Sequence, residues 1–229
     1  MKAVNKNLVI YIACMLVAIA GIVYGNEIKN HYNFFRLWGY QNIVWLAVGI
    51  PFLFLQTKAG LPDFLEENIT NKQRFLKPAL IGSLFGILDV IVIKLIMHPE
   101  PYSELPPFLQ PFPYSLFLYF SGAFEIEIFY RLIPLTLTLL LGKWMAGGKY
   151  FNIFMWTGII LTSLREPIEQ MPGEPFAFIL YSLFTGFLMN FFQAVYYKKA
   201  GFLATFTLRL GHYLFWHILL GIYVEYIEL

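Results

Sequence analysis

The stretch PALIGSLFGILDVIVIKLIM, residues 78–97, decides the class of fold. Its only charged side chains are Asp89 and Lys94, and the rest is mainly apolar. A helix that crosses a membrane needs about 20 mainly apolar residues, which is the length of this stretch. We therefore predict a transmembrane helix that carries one acid and one base.

Six further stretches have the same apolar character. Together the seven predicted spans cover residues 8–25, 37–56, 78–97, 113–141, 150–167, 175–197 and 202–227. They predict one all-α membrane domain over residues 1–229, a polytopic bundle of about seven transmembrane helices. The Pro-rich residues 99–113 are expected to form an irregular loop.

The composition excludes most soluble classes. Apolar residues make up 59% of the chain and charged residues 13%, with a mean hydropathy of +0.63, whereas soluble domains average about 25% charged residues. A single cysteine rules out a disulfide framework. The net charge of +2 gives no reason to expect a nucleic-acid partner. The lipid bilayer is the partner that this composition indicates.

The basic residues of the loops predict the orientation of the bundle. With the N-terminus inside, the inner loops carry Lys2, Lys6, Lys58, Lys72, Arg74, Lys77, Lys143, Lys149, Lys198 and Lys199. The outer loops carry only Lys29 and Arg36. Because Lys and Arg collect on the cytoplasmic side, we expect the N-terminus inside and the C-terminus outside.

Several ionisable residues lie inside the predicted spans. The bases are Lys94, Arg131, Arg165 and Arg209, the acids are Asp89, Glu125, Glu127 and Glu166, and the histidines are His212 and His217. Each charge at the centre of a bilayer costs at least about 2.5–3.5 kcal/mol. We therefore expect these side chains to face the bundle interior, where they pair and line a polar cavity.

Helical geometry sorts these residues into layers, at about 1.5 Å of rise per residue. One layer, in the inner half of the membrane, contains Glu125, Glu127, Arg209 and His212. A second layer, nearer the outside, contains Arg165 and His217.

Spacing within the spans predicts pairs. Glu127 and Arg131 stand four residues apart, the order that favours an ion pair on a helix. Asp89 and Lys94 are expected to be a structural pair or cavity lining, and Glu225 and Glu228 a solvated outer end. Gly82, Gly86 and Gly186 are expected where two helices pack closely.

A carboxylate beside a histidine in a poorly hydrated cavity can activate a water molecule, because burial and a neighbouring base bring their proton affinities together. The helix pattern His-Glu-x-x-His that binds zinc is absent from the sequence. We therefore expect no metal and no cofactor.

The stretch FEIEIFYRLIP, residues 124–134, resembles the first motif of the CAAX protease and bacteriocin-processing family. That family carries Glu-Glu-x-x-x-Arg on a membrane helix. Glu127 and Arg131 match the second Glu and the Arg, Ile126 stands at the first Glu, and Glu125 lies one residue upstream.

Residues 196–212, YYKKAGFLATFTLRLGH, are similar to the family's third region, where a glycine precedes a helix with a histidine. His212 matches that histidine. The family expects Asn four residues later, whereas this chain has Trp216 and then His217. The second motif, Phe-x-x-x-His, has no counterpart in LTSLREPIEQ, residues 161–170.

The resemblance implies a glutamate-dependent intramembrane endopeptidase of the prenyl-protease type, in the plasma membrane of a prokaryote. Glu125 or Glu127 would be the base, Arg131 its orienting partner and His212 the oxyanion donor. Glu166, Arg165, Arg209 and His217 would line the cavity. The substrate would be a prenylated or membrane-embedded peptide.

Two other functions fit the same residues. A non-catalytic member of the family could bind a peptide in the cavity as a membrane scaffold or an immunity-type protein. A proton-coupled transporter would also use balanced charges inside the membrane, although the sequence has no internal repeat of the kind common in carriers.

Overall fold

The computed structural model describes residues 3–32, 34–173 and 175–229, which form seven helices and no strand. The helices are α1 Ala3–Ile28, α2 Tyr40–Ala59, α3 Lys72–Met97, α4 residues 114–144, α5 Phe151–Glu169, α6 Phe176–Ala200 and α7 residues 202–228. Each apolar stretch identified in the sequence becomes one helix, which confirms the all-α class.

Four of these helices, α1, α2, α3 and α6, are long and apolar enough to cross a membrane. The other three, α4, α5 and α7, carry the charged residues Glu127, Arg131, Glu166 and Arg209, all of them buried. These helices are less apolar because their polar side chains face one another inside the bundle. The fold is therefore that of a membrane-type helical bundle.

The helices alternate in direction, so the bundle has two ends. The basic end holds the start of α1 and the connections at residues 60–71 and 145–150. The loop end holds residues 29–32 and 34–39 and the Pro-rich loop, residues 98–113, which is irregular as predicted. The Pro-rich loop folds back over the helices, and its Phe108 ring stacks on Trp216 of α7 with ring centroids 5.0 Å apart.

Helices α3 and α7 make the most extensive contact of any helix pair described. A methyl group on Gly82 would lie 1.8 Å from the carbonyl oxygen of Leu208, and one on Gly86 would lie 2.5 Å from that of His212. Only glycine permits this approach of two helix backbones. The expected close packing at Gly82 and Gly86 is confirmed, and it brings α3 against the ionisable residues of α7.

A single residue, Gly201, connects α6 and α7. Its φ of +82° lies in the region that favours glycine, and a methyl group there would lie 3.2 Å from the carbonyl oxygen of Asp63. This tight reversal lays the first turns of α7 directly against the end of α6. Polar residues of the two helices can then meet in the interior.

Candidate functional site

Glu127 of α4 is at the centre of a buried polar network. Its carboxylate accepts hydrogen bonds from Gln193 Nε2 at 2.9 Å, Thr205 Oγ1 at 2.5 Å and Arg209 Nε at 2.7 Å. The residue is 0% exposed. With three donors on two oxygens, this carboxylate is satisfied by the protein and sealed from solvent.

Arg209 of α7 joins Glu127 to a second acid, Glu166 of α5. The two terminal nitrogens of Arg209 donate to the two oxygens of Glu166 at 2.8 and 2.6 Å. This is the bidentate geometry that makes arginine–carboxylate pairs strong and directional. One guanidinium therefore pairs with carboxylates from two other helices.

The prediction of an ion pair between Glu127 and Arg131 is wrong. Arg131 is fully buried, but it donates to Gln193 Oε1 at 3.0 Å, to the carbonyl of Thr162 at 3.2 Å and to the side chain of Asn190. Gln193 donates to Glu127 and accepts from Arg131, so it connects the two without direct contact.

A wide helical turn explains this difference. The amide of Ile133 donates to the carbonyl of Ile128, five residues back, rather than the usual four. Residues 128–132 therefore form a π turn, which changes the direction of the side chains that follow Glu127. The rule that residues four apart share a face holds for a regular α-helix, and Arg131 lies within the irregular turn.

Beside this network lies a cavity of about 570 Å³, lined by helices α3 to α7, residues 36 and 38, and the Pro-rich loop. The predicted site residues that line it are Glu125, Glu166, Arg209, His212 and His217. Since Arg36 and Phe108 also line it, the cavity lies toward the loop end of the bundle. Glu127, Arg131 and Arg165 do not line it.

His212 of α7 pairs with Asp89 of α3 in this cavity. The Nε2 of His212 lies 2.7 Å from Oδ2 of Asp89, and the hydroxyl of Tyr181 donates to Oδ1 of Asp89 at 2.6 Å. Of the two expectations for Asp89, cavity lining is confirmed, whereas a pair with Lys94 is not found. Lys94 pairs with Glu228 instead.

Glu125 also faces the cavity, together with its helix neighbours Gly122 and Ile126. It is half-buried and forms no ion pair with any residue that the structure describes. Glu125 and Glu127 point to different places, as the angle between them on a helix predicts. One carboxylate is therefore available in the cavity while the other is locked in the network.

His217 closes the cavity toward the Pro-rich loop. Its Nδ1 lies 2.8 Å from the carbonyl oxygen of Phe108, and its ring stacks on Tyr119 with centroids 4.1 Å apart. Because a carbonyl oxygen only accepts, Nδ1 must carry the hydrogen. His217 is thus held by its surroundings at the mouth of the cavity.

The prediction that Arg165 shares a layer of the interior with His217 is wrong, because Arg165 lies outside the cavity. It pairs with Glu169 at 2.8 Å, and both side chains are 46% exposed. Since Arg165 precedes Glu166 by one residue, it points about 100° away from it on the helix.

The last turns of α7 are held by contacts with α3 and the Pro-rich loop and are not solvated. Glu228 pairs with Lys94 at 2.9 Å, with both side chains 5% exposed, and it accepts from the amide of Tyr102 at 2.9 Å. Glu225 accepts from the amide of Phe112 at 2.8 Å. The expectation of a solvated outer end is wrong, because these acids fasten the Pro-rich loop to α7.

A second cavity of about 430 Å³ lies on the other side of α4 and α7, next to α1. Its lining is apolar and aromatic: Val17, Leu116, Phe117, Tyr119, Phe120, Leu210, Tyr213, Leu214 and Ile218. We call it the apolar groove. It shares Tyr119 and Tyr213 with the polar cavity, so the two are adjacent.

We compared the chain with protein-family models, curated proteins and solved structures. None of them matches. Among the described residues, no group of three or more His, Cys, Asp or Glu side chains is arranged to hold a metal ion. The chemistry of the site therefore has to be argued from its own residues.

Sequence reasoning named Asp89 as an interior acid but missed its pairing with His212, and it missed Tyr181. A depth estimate could have found this pairing, because Asp89 lies about 16 Å along the third predicted span from the inner side. His212 lies at about the same depth in the seventh span. The signal available in the sequence was that an acid and a histidine lie at the same depth. Lys94 obscured it, because this base lies much closer to Asp89 along the chain than His212 does.

Proposed function

We propose that this protein is an intramembrane endopeptidase of the CAAX-protease type, which hydrolyses a prenylated or membrane-embedded peptide in its polar cavity. The observation that carries the proposal is the lining of that cavity. Asp89, Glu125 and Glu166 bring carboxylates from three helices, and His212 and His217 add two imidazoles. Hydrolysis by general acid–base catalysis needs these groups on one water-accessible surface.

We further propose that all seven helices cross the plasma membrane of a prokaryote, with the N-terminus inside and the C-terminus outside. The four strongly apolar helices support a location in the membrane, and the excess of Lys and Arg at the basic end is the argument for the orientation. In this orientation the cavity lies in the outer half of the membrane, not in the inner half as the depth estimate suggested.

The residues that carry the family resemblance lie in two places, the buried network and the cavity. Glu127 and Arg131, which match the first motif, are buried outside the cavity and hold α4 to α6 and α7. Ile126 lines the cavity where the family has its first Glu. We therefore assign Glu127 and Arg131 a supporting role, and the carboxylate that reacts must be one of those in the cavity.

The apolar groove supports a lipid-modified substrate. A prenyl chain could lie in the groove while the attached peptide enters the polar cavity past Tyr119 and Tyr213, which line both. Tyrosine suits this boundary because its ring is apolar and its hydroxyl is polar.

A cleavage assay tests the proposal. Purified protein in lipid nanodiscs receives a farnesylated CAAX peptide and a pool of membrane peptides, and products are identified by mass spectrometry. We expect cleavage by the wild type and a loss of at least about 100-fold in His212→Gln, the usual minimum for a general acid–base group. The control His31→Gln alters an exposed histidine at the loop end and should keep full activity.

No cleavage of any peptide by the wild type would contradict the endopeptidase assignment, and full cleavage by His212→Gln would contradict the role of His212 in it. The first result with retained peptide binding points to the second candidate function, a non-catalytic family member that binds a peptide as a scaffold or immunity-type protein. The saturation of Glu127 and Glu166 by donors favours that candidate, because neither is free to accept a proton.

A further inference from the structure

We propose that Asp89 is the catalytic carboxylate of this site and that it works as a pair with His212. This inference rests on the proposed function and names the residue that would activate water. Asp89 Oδ2 and His212 Nε2 are 2.7 Å apart, and both residues line the polar cavity. No motif of the sequence points to Asp89.

The other carboxylates of the interior are less suitable. Glu127 is sealed by three donors, and Glu166 is held at both oxygens by Arg209. Glu125 faces the cavity, but it makes no hydrogen bond to a histidine in the described part of the chain. Asp89 alone combines a histidine partner with a side chain that is 20% exposed in the cavity.

The surroundings hold Asp89 and His212 in place. The hydroxyl of Tyr181 donates to Oδ1 of Asp89 at 2.6 Å, which fixes the plane of the carboxylate. Gly82 and Gly86 let the backbones of α3 and α7 approach closely, so the two residues face each other across a fixed distance. Such support from neighbouring groups is what a pre-organised site requires.

The pair can carry out a balanced hydrolysis. Asp89 takes a proton from water, and the oxygen lone pair of that water forms a bond to the peptide carbonyl carbon as the C=O pair moves onto oxygen. His212 shares this proton with Asp89 across their 2.7 Å hydrogen bond, so the two residues act as one acid–base pair. When the tetrahedral intermediate collapses, the C–N bond breaks and Asp89 gives its proton to the leaving nitrogen. The reaction needs no oxidant, no reductant and no reactant besides the peptide and water.

The test compares single-residue variants in the nanodisc assay, with peptide binding measured separately by fluorescence anisotropy. For Asp89→Asn, which keeps the size of the side chain, we expect kcat to fall by at least about 100-fold while the Kd for the uncleaved peptide changes less than threefold. Asp89→Glu should restore part of the rate, and Tyr181→Phe should lower kcat by about tenfold, since it removes one hydrogen bond.

Two matched controls separate this assignment from its alternatives. Asp63→Asn changes the chain's other aspartate, which accepts a hydrogen bond from Asn7 at the basic end, and should leave kcat unchanged. Glu125→Gln tests the competing base and should lower kcat far less than Asp89→Asn does; an equal loss would overturn the assignment of Asp89.

The outcomes are distinguishable. Cleavage by the wild type together with full kcat in Asp89→Asn overturns the assignment of Asp89 and leaves the endopeptidase proposal standing. A wild type that cleaves nothing overturns both. If Asp89→Asn fails to fold, Tyr181→Phe and Asp89→Glu decide: unchanged kcat in both overturns the assignment.

Discussion

Replacing Arg209 with methionine should lower the free energy of unfolding of the bundle more than the removal of any other single charge in its interior. Methionine has a similar length and no charge, so the change removes the hydrogen bonds to Glu127 and Glu166 with little loss of packing. Formally the network is neutral, because the charges of Glu127 and Glu166 balance those of Arg131 and Arg209. Arg209→Met leaves it with one uncompensated negative charge.

The magnitude follows from this charge. Removing one partner of a buried ion pair costs about 3–5 kcal/mol, because the remaining charge stays desolvated. Glu127 keeps two other donors, whereas Glu166 loses both bonds to its carboxylate oxygens, so most of the cost arises at Glu166. Adding Glu166→Gln restores neutrality, and the double variant should therefore be about 2 kcal/mol more stable than Arg209→Met alone.

The free energy of unfolding can be measured by equilibrium unfolding in mixed micelles with increasing sodium dodecyl sulfate. The matched control is Arg165→Met, which removes the partner of Glu169 from an ion pair that is about half exposed. An exposed pair contributes about 0–1 kcal/mol, so this variant should unfold close to the wild type.

The reasoning would be refuted by either of two results. One is that Arg209→Met matches Arg165→Met in stability, which would mean that the buried network is not coupled to folding. Alternatively, Glu166→Gln could destabilise Arg209→Met by as much as it destabilises the wild type, which would mean that charge neutrality in the interior carries no energy.

Two further predictions concern the packing of α3 and the Pro-rich loop. Gly82→Ala should cost about 3 kcal/mol of unfolding free energy, because its methyl group would lie 1.8 Å from the Leu208 carbonyl oxygen. The control Gly122→Ala should change the stability little, since no atom lies within 4 Å of its added methyl group. Equal stability of the two variants would contradict the packing argument. Glu228→Gln should raise amide hydrogen exchange in the Pro-rich loop at least about tenfold, because Lys94 loses its buried partner. Exchange in α1 should not change, and an unchanged loop would show that this ion pair does not fasten it.

The helices were predictable from the sequence because length and hydropathy are local properties. Each apolar stretch of residues corresponds to one helix, and the glycines at the contact of α3 and α7 were recognisable by their spacing. The closeness of Glu127 and Arg209 also followed from depth, since both lie near the same level of the bundle.

The pairing of polar side chains was less predictable, because it depends on which helices are neighbours. Asp89 and His212 are 123 residues apart in the chain, and Lys94 finds its partner at Glu228. The pattern in the sequence favoured partners close along the chain. Even the local pair of Glu127 and Arg131 failed, because the π turn after Glu127 is not encoded in any spacing rule.

The way Arg209 is shared between two acids has a consequence for how the protein is made. In the proposed topology the helices enter the membrane in chain order, and Glu166 is synthesised 43 residues before its counter-ion. Until α7 arrives, α5 carries an acid that the lipid interior disfavours. Insertion of α5 and insertion of α7 are therefore linked steps, and α5 should be retained beside the insertion machinery until Arg209 reaches it.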